Sequence, residues 1–432
     1  MGAFENWSGD VSFRPAKIAK PRSIADVQRL VRAATAARRS VRVAGAGHSF
    51  TPLIETEGVL VSLDRLRGIE SIDSDALEAT VFAGTRLYEL GPALAKAGYA
   101  MENLGDIDRQ SIAGAVSTGT HGTGRDFGSL STQVTGFELV LASGERLWCD
   151  RDAGADVFAA GRVALGTLGI LTRVRVRIVP LFRLRLARSV MPIEEALASA
   201  AQLIERHRNF EFYWFPYTGR VATKAWDVTN EAGAVSKLTR YVDGVLLENT
   251  TFGLLCDVVR RFPALIPSLS KLIVGLSGSG STVDISHKQL TSPRYVRFNE
   301  MEYALPAERA PDAFREFVAT FERERFPVFF PVEYRWVKGD DIWLSPAYGR
   351  DTVTISIHQD PKLSYAEYFE MGERIFRKHG GRPHWGKIHT LRANDLRGLY
   401  PQWDSFATVR RQLDPQGRFT TPYLRALLES QA

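Results

Sequence analysis

The chain has 432 residues, 44% of them hydrophobic and 24% charged. That is ordinary globular usage at a length that favours two domains, and it excludes fibrous and disordered classes. The net charge is +6, but no run of five or more Lys/Arg occurs. This points to a mildly basic surface and gives no reason to expect a nucleic-acid partner. Cys149 and Cys256 are the only cysteines, so at most one disulfide is possible and no Cys-x-x-Cys metal site exists. The Met1–Asn6 start carries neither a basic nor an apolar leader, and no apolar stretch is long enough to span a bilayer. The cytoplasm is the expected location.

Residues 23–39 read as a helix: Ser23 is an N-cap, Asp26 stands three residues on, and Ile24, Val27, Leu30, Val31 and Ala34 form the apolar stripe. Ser40–Ala44 reads as a strand that ends in Gly45-Ala46-Gly47-His48-Ser49. Strands follow at Val59–Leu63 and Ala79–Ala83, then a helix over about Arg86–Ala97. Further strands are expected at Phe137–Leu141 and Ile170–Val179, with a boundary at Pro180. Beyond it, residues 193–207 read as a helix. Strands then dominate, at Phe210–Phe215, Val296–Tyr303, Val328–Val337 and Thr352–His358. Such an order predicts an α+β fold whose second part is an antiparallel sheet covered by helices. The apolar stretch 245–280 reads as a packed helical insertion, with a membrane-touching excursion as its alternative.

Three segments carry chemistry. The Gly45-x-Gly47-His48-Ser49 turn offers exposed backbone N–H groups suited to a pyrophosphate. Phe50 and Thr51-Pro52 exclude the third glycine and the helix that a Rossmann fingerprint needs. Ser111–Gly124 is almost entirely small residues, costly to order unless a ligand takes up its donors. Leu165-Gly166-Thr167-Leu168-Gly169-Ile170 is a third close-approach segment. In Val332–Trp336, Glu333 and Arg335 share one strand face. In Thr352–His358, Thr352, Thr354, Ser356 and His358 share one face, with Val353, Ile355 and Ile357 opposite. Read from the residues alone, the polar faces fit either a hydroxyl-rich pocket wall or a solvated outer face.

Together these segments resemble the FAD domain of the vanillyl-alcohol-oxidase-type flavoproteins (PCMH-type), in the aldonolactone and alditol oxidase branch. The resemblance runs from Asn6-Trp7-Ser8-Gly9 onward. It includes Arg382-Pro383-His384-Trp385-Gly386-Lys387, Tyr400-Pro401 and Leu413-Asp414-Pro415. It implies a PCMH-type FAD-binding domain over 1–180, an antiparallel-sheet substrate (cap) domain over 181–380, and a C-terminal segment over 381–432 returning to the first domain.

The resemblance also implies site residues. FAD would lie on Ala44, Gly45, Ala46, Gly47, His48 and Ser49, with Gly105, Ser111, Gly114, Ala115, Thr118, His121, Gly122, Gly169 and Ile170. A covalent bond from His48 to the flavin 8α carbon is implied as well. Glu333, Arg335 and Lys387 become the catalytic set, and Asp106, His358, Ser356 and His384 the substrate contacts. Alditol oxidases carry Ser and Thr where this chain has Asp106 and His358, which favours an aldono-1,4-lactone (gulono, galactono or arabinono type) over an alditol. The expected reaction is hydride transfer from C2 to flavin N5, with Glu333 taking the hydroxyl proton and Arg335 and Lys387 stabilising negative charge. Dioxygen is the expected acceptor, giving hydrogen peroxide, with a quinone- or cytochrome-linked dehydrogenase as the alternative. Gly105 bears on this choice. Its lack of a side chain either leaves space at the flavin edge or serves a turn needing positive φ. No metal is expected, since no His/Cys/carboxylate cluster has ligand spacing.

Overall fold

A computed structural model describes residues 2–236 and 249–429. Its first part begins with a three-stranded parallel sheet in which Val59–Ser62 lies between Lys17–Ala19 and Val41–Ala44. All four residues of the central strand are buried, as a parallel strand covered on both faces requires. The helix Ile24–Ala36 starts where its sequence dictates: the Ser23 side chain accepts from the Asp26 N–H, closing a capping box, and Val27, Val31 and Ala34 face the core. A five-stranded antiparallel sheet follows. Its order is Arg146–Asp150, Val134–Val140, Ile170–Arg177, Glu78–Phe82 and Ile69–Asp73.

The small-residue segment is half helical. Ile112–Thr118 forms a two-turn helix whose Ser111 side chain accepts from the Gly114 N–H, and Gly119 ends it at φ 75°. Alanines, glycine and short polar residues give no long apolar stripe, so the sequence shows the small residues but not the helix.

The second part is an eight-stranded antiparallel sheet. Its order is Gly280–Ile285, Arg183–Pro192, Arg220–Thr229, Asn209–Trp214, Val332–Val337, Thr352–Gln359, Asn299–Pro306 and Arg382–Pro383. The last strand falls just past residue 380. One face of the sheet is apolar: Phe212, Trp214, Tyr334, Ile355 and Ile357 pack with Phe314 and Phe317 of the helix Ala310–Glu324 and Phe376 of the helix Ala366–Lys378. The opposite face carries polar side chains toward the first part of the chain.

The C-terminal helices Ala393–Arg397, Trp403–Leu413 and Pro422–Leu428 bury Leu396, Phe406 and Leu424 in the same core as Val27, Val61 and Phe137. The Val41 N–H also donates to the Arg418 carbonyl at 2.8 Å. Within the stretch 245–280, Phe252–Arg261 and Ile266–Leu276 are helices, and residues 245–248 lie outside the described residues. No helix among the described residues is long and apolar enough to cross a membrane. Both cysteines are buried and free.

Candidate active site

Two cavities meet in the molecule. The first is a solvent-open cleft enclosing about 1070 Å³. Its floor is the turn after Val41–Ala44, and its wall is the start of the helix Ile112–Thr118. A Cβ on Gly45 would stand 2.7 Å from the Ser111 hydroxyl oxygen, and one on Gly114 would stand 3.0 Å from the same atom. Gly47 holds φ 73°. Glycine at both positions keeps the space beside the Ser111 hydroxyl open for a ligand. Small residues of both segments thus face the cleft with their backbone close to it, which fits the diphosphate of a dinucleotide.

The second cavity, of about 750 Å³, lies against the polar face of the large sheet. His48, Ser49, Gln110 and Thr118 line both cavities, so the cleft opens into this chamber. Strand register builds its wall: Glu333 pairs with Ser356, which pairs with Glu302, and His358 pairs with Glu300.

These groups form linked ion pairs. Arg335 donates from Nε to Glu211 Oε2 at 2.9 Å and from Nη2 to the Tyr213 hydroxyl at 3.1 Å, and it pairs with Glu333 Oε2 at 2.9 Å. The Lys387 ammonium bonds the Glu300 carboxylate, whose other oxygen stands 3.6 Å from His358 Nε2. His121 Nε2 lies 2.7 Å from Glu302 Oε1, and the Ser356 hydroxyl donates to Glu302 Oε2 at 2.8 Å. Asp106 is held by Arg294 and by the Ser292 hydroxyl, both at 2.7 Å.

The surroundings set the charges. Burial, reinforced by Lys387, Arg86 and Arg109, pushes the His48 imidazole down to about 4, so the ring is neutral at physiological pH. Burial raises the Glu333 carboxyl above its ordinary range, and Arg335 and His358 only partly offset it. Burial opposes ionisation of Asp106 too, yet Arg294, Lys224, Arg335 and the Ser292 hydrogen bond hold it at about 2. Against the same opposition, Lys387 and His358 keep Glu300 low, and His121 and His384 keep Glu302 well below its usual value. His358 is raised: burial works against its charge, but Glu300 and Glu333 outweigh it. Burial pushes His384 down to about 4, and its Nδ1 accepts from the Gly386 N–H at 3.1 Å.

Of the residues expected at the cofactor, Ala44, Gly45, Ala46, Gly47, His48, Ser49, Ser111, Gly114, Thr118 and Gly169 line the cleft. Gly105 and His121 line the chamber instead. Ala115 and Ile170 are fully buried behind the cleft wall. Gly122 packs against the Leu104 carbonyl, where a Cβ would stand 2.2 Å away. Glu333, Arg335, Lys387, Asp106, His358 and His384 all reach the chamber. Ser356 lies beneath it, bonded to Glu302.

The positive-φ explanation of Gly105 is incorrect, because its φ is not in the left-handed region. A Cβ there would meet the His121 carbonyl at 3.0 Å and the Thr120 methyl at 3.2 Å, so close packing of two chain segments favours the glycine. Sequence reasoning missed Glu300, Glu302 and Arg294. The alternation Glu300-x-Glu302 on a predicted strand was the available signal for the first two.

Residues 174–427 match the D-arabinono-1,4-lactone oxidase family, and residues 15–150 match the FAD-binding domain family. The first span holds the chamber's sheet, and the second holds both cleft loops. The chain is 37% identical to the L-gulono-1,4-lactone dehydrogenase of Mycobacterium tuberculosis, over 98% of this chain and 99% of that one. It is 30% identical to the L-gulonolactone oxidase of Bos taurus, over 98% and 97%. Among solved structures it resembles cholesterol oxidase from Brevibacterium sterolicum in fold, with a TM-score of 0.84 at 20% identity, covering 99% of this chain and 96% of that one.

Proposed function

The chain belongs to the D-arabinono-1,4-lactone oxidase family, and on that premise we propose that it oxidises the C2 hydroxyl of an aldono-1,4-lactone with FAD as hydride acceptor. One observation carries this reading: a cleft walled by the Gly45–Ser49 turn and the start of the helix Ile112–Thr118 opens, at His48, Ser49, Gln110 and Thr118, into a chamber walled by paired charges. Such pairs suit a neutral ligand rich in hydroxyls, since each carboxylate can accept and each cation can donate. The Gly45–Ser49 turn and the start of the helix Ile112–Thr118 would hold FAD, which when bound supplies the hydride acceptor.

The chain's own groups handle the proton. Glu333 Oε2 is held by Arg335, which leaves Oε1 to take the proton from the substrate hydroxyl. A raised carboxyl pKa makes it the stronger base. Arg335 is fixed by three partners and so presents its charge without reorganising. Glu300 positions both Lys387 and His358 beside the same space.

Two further assignments complete the reading. The neutral His48 imidazole has an unprotonated nitrogen, which is what a covalent bond to the flavin 8α carbon needs. Dioxygen is taken as the final acceptor. The Mycobacterium relative's name, a dehydrogenase, favours a second reading in which another acceptor takes the electrons.

The test is anaerobic mixing with aldono-1,4-lactones, alditols and aldoses while flavin absorbance is followed. Bleaching by gulono-, galactono- or arabinonolactone is expected. Bleaching by alditols with lactones inert overturns the substrate assignment. Admitting air then decides the acceptor: rapid recovery with peroxide supports the oxidase, and flavin left reduced for minutes supports the dehydrogenase.

A further inference from the structure

Arg42 lies in the middle of the strand Val41–Ala44 and is only 2% exposed. Arg42 is one of the residues that line the cofactor cleft. Four hydrogen bonds hold its guanidinium, and every acceptor is a backbone carbonyl. Nε donates to Leu53 at 3.0 Å, Nη1 to Gly166 at 2.8 Å and to Phe419 at 2.6 Å, and Nη2 to Leu165 at 2.6 Å. Among the described residues no carboxylate lies within ion-pair distance. Asp414, the acid that acts on it electrostatically, spends its oxygens on the Arg418 and Phe419 N–H groups.

A buried guanidinium without a counter-ion is costly, and carbonyl dipoles offset only part of that cost. One of the turns it holds is itself strained. Leu165 has φ 55°, in the left-handed region that a residue with a Cβ rarely adopts, and Gly166 follows at φ 66°. A Cβ on Gly166 would stand 3.6 Å from Nη2, so the turn is wrapped closely around the cation. A strained turn and a buried cation held by carbonyl dipoles, with no carboxylate in direct contact, are thus maintained together at one cleft.

We propose that Arg42 is the fixed positive charge of this cleft, positioned by four carbonyls to balance the diphosphate of the bound cofactor. The proposal rests on the FAD reading. It assigns Arg42 as a positioning and electrostatic residue that takes no part in hydride transfer. It also explains why three distant segments, around residues 53, 165 and 419, converge on one side chain.

The test uses flavin-free full-length chain from riboflavin-starved cells, titrated calorimetrically with ADP and with adenosine. The two probes differ by the diphosphate. Wild type is expected to prefer ADP. In Arg42→Gln the ADP affinity should fall ~10-fold, the effect of removing a unit charge near the diphosphate in a partly buried site, while adenosine affinity is unchanged. Arg42→Lys, which keeps the charge but not the fork, should keep the preference for ADP. An unaltered ADP preference in Arg42→Gln overturns the proposal, as does an equal fall for both probes, which marks a purely structural staple. If Arg42→Gln does not fold, Arg42→Lys decides: loss of the ADP preference in that folded variant also overturns it. Failure of wild type to bind either probe removes the FAD reading itself, and the proposal with it.

Discussion

His48 lies where cleft and chamber join, and its ring packs 5.6 Å from that of Trp7. Held neutral by burial and three nearby cations, it has a free nitrogen lone pair at working pH. Protein precipitated with acid should therefore stay yellow, and the flavin-bearing peptide should contain His48. In His48→Ala the flavin should wash out of a folded protein. Complete release of flavin from wild type by acid rejects the bond.

Glu333 gives a second test at this scale. Glu333→Gln should slow flavin reduction by about 100-fold, the usual worth of a positioned base, with flavin content unchanged. The carboxylate form is the base, and burial raises its pKa. The reduction rate should thus climb with pH and reach half its plateau above the ordinary Glu value of about 4.3. A flat profile, or a normal rate in the Gln variant, removes the role. Glu333 and Arg335 were legible because strand alternation puts residues two apart on one face. Arg294 was not, since nothing local in Ser292-Pro293-Arg294 shows that Asp106 lies opposite.

At the scale of elements, the strand Asn299–Pro306 explains why part of the site was hidden. It pairs with Thr352–Gln359, which pairs with Val332–Val337, so Glu302, Ser356 and Glu333 form one row across three strands. Each strand was readable by its own alternation, but the order of strands in the sheet is non-local and leaves no local mark. The strands Arg183–Pro192 and Arg220–Thr229 were missed although Leu184 and Leu186 alternate with arginines, because the charged residues there obscure a half-buried pattern.

The row also predicts a pH effect on stability. Glu302 is buried, yet His121 and His384 hold its carboxyl well below the ordinary range. Its folded pKa is therefore lower than its unfolded one. The stabilisation is present above the unfolded value and is lost as pH falls toward the folded one. The gap in melting temperature between wild type and Glu302→Gln should shrink as pH falls below ~5, through the unfolded Glu value toward the lower folded one. A gap that widens on acidification contradicts the assignment.

At the scale of the whole molecule, the chamber is closed by contacts from both parts of the chain. Asp106 comes from the cofactor-binding part, and Ser292 and Arg294 come from the sheet part. The Ser292 N–H also donates to the Asp106 carbonyl at 2.9 Å, so backbone and side chain are both clamped. Arg294 and three other cation or hydroxyl influences keep the Asp106 carboxylate ionised at about 2, so across the physiological range it is a pure acceptor. An acceptor fixed at the chamber wall suits a substrate hydroxyl away from the reacting carbon. Such a hydroxyl would be bound equally before and during hydride transfer in the proposed reaction, so the loss of this acceptor should appear in KM and hardly in kcat. Asp106→Asn should therefore raise KM for the lactone by about 10-fold or more, as for a hydrogen bond to a charged group, and leave the limiting rate of flavin reduction within about 3-fold. Arg294→Ala, which removes the partner that orients the carboxylate, should move KM in the same direction. Asp106→Ser, the residue type found in alditol oxidases, should shift the preference toward alditols if this position reads the substrate. If Asp106→Asn instead lowers the reduction rate with KM unchanged, Asp106 acts on the transition state and the division of roles drawn here is wrong. A loss of flavin in both variants would instead make the clamp a purely structural join between the two parts.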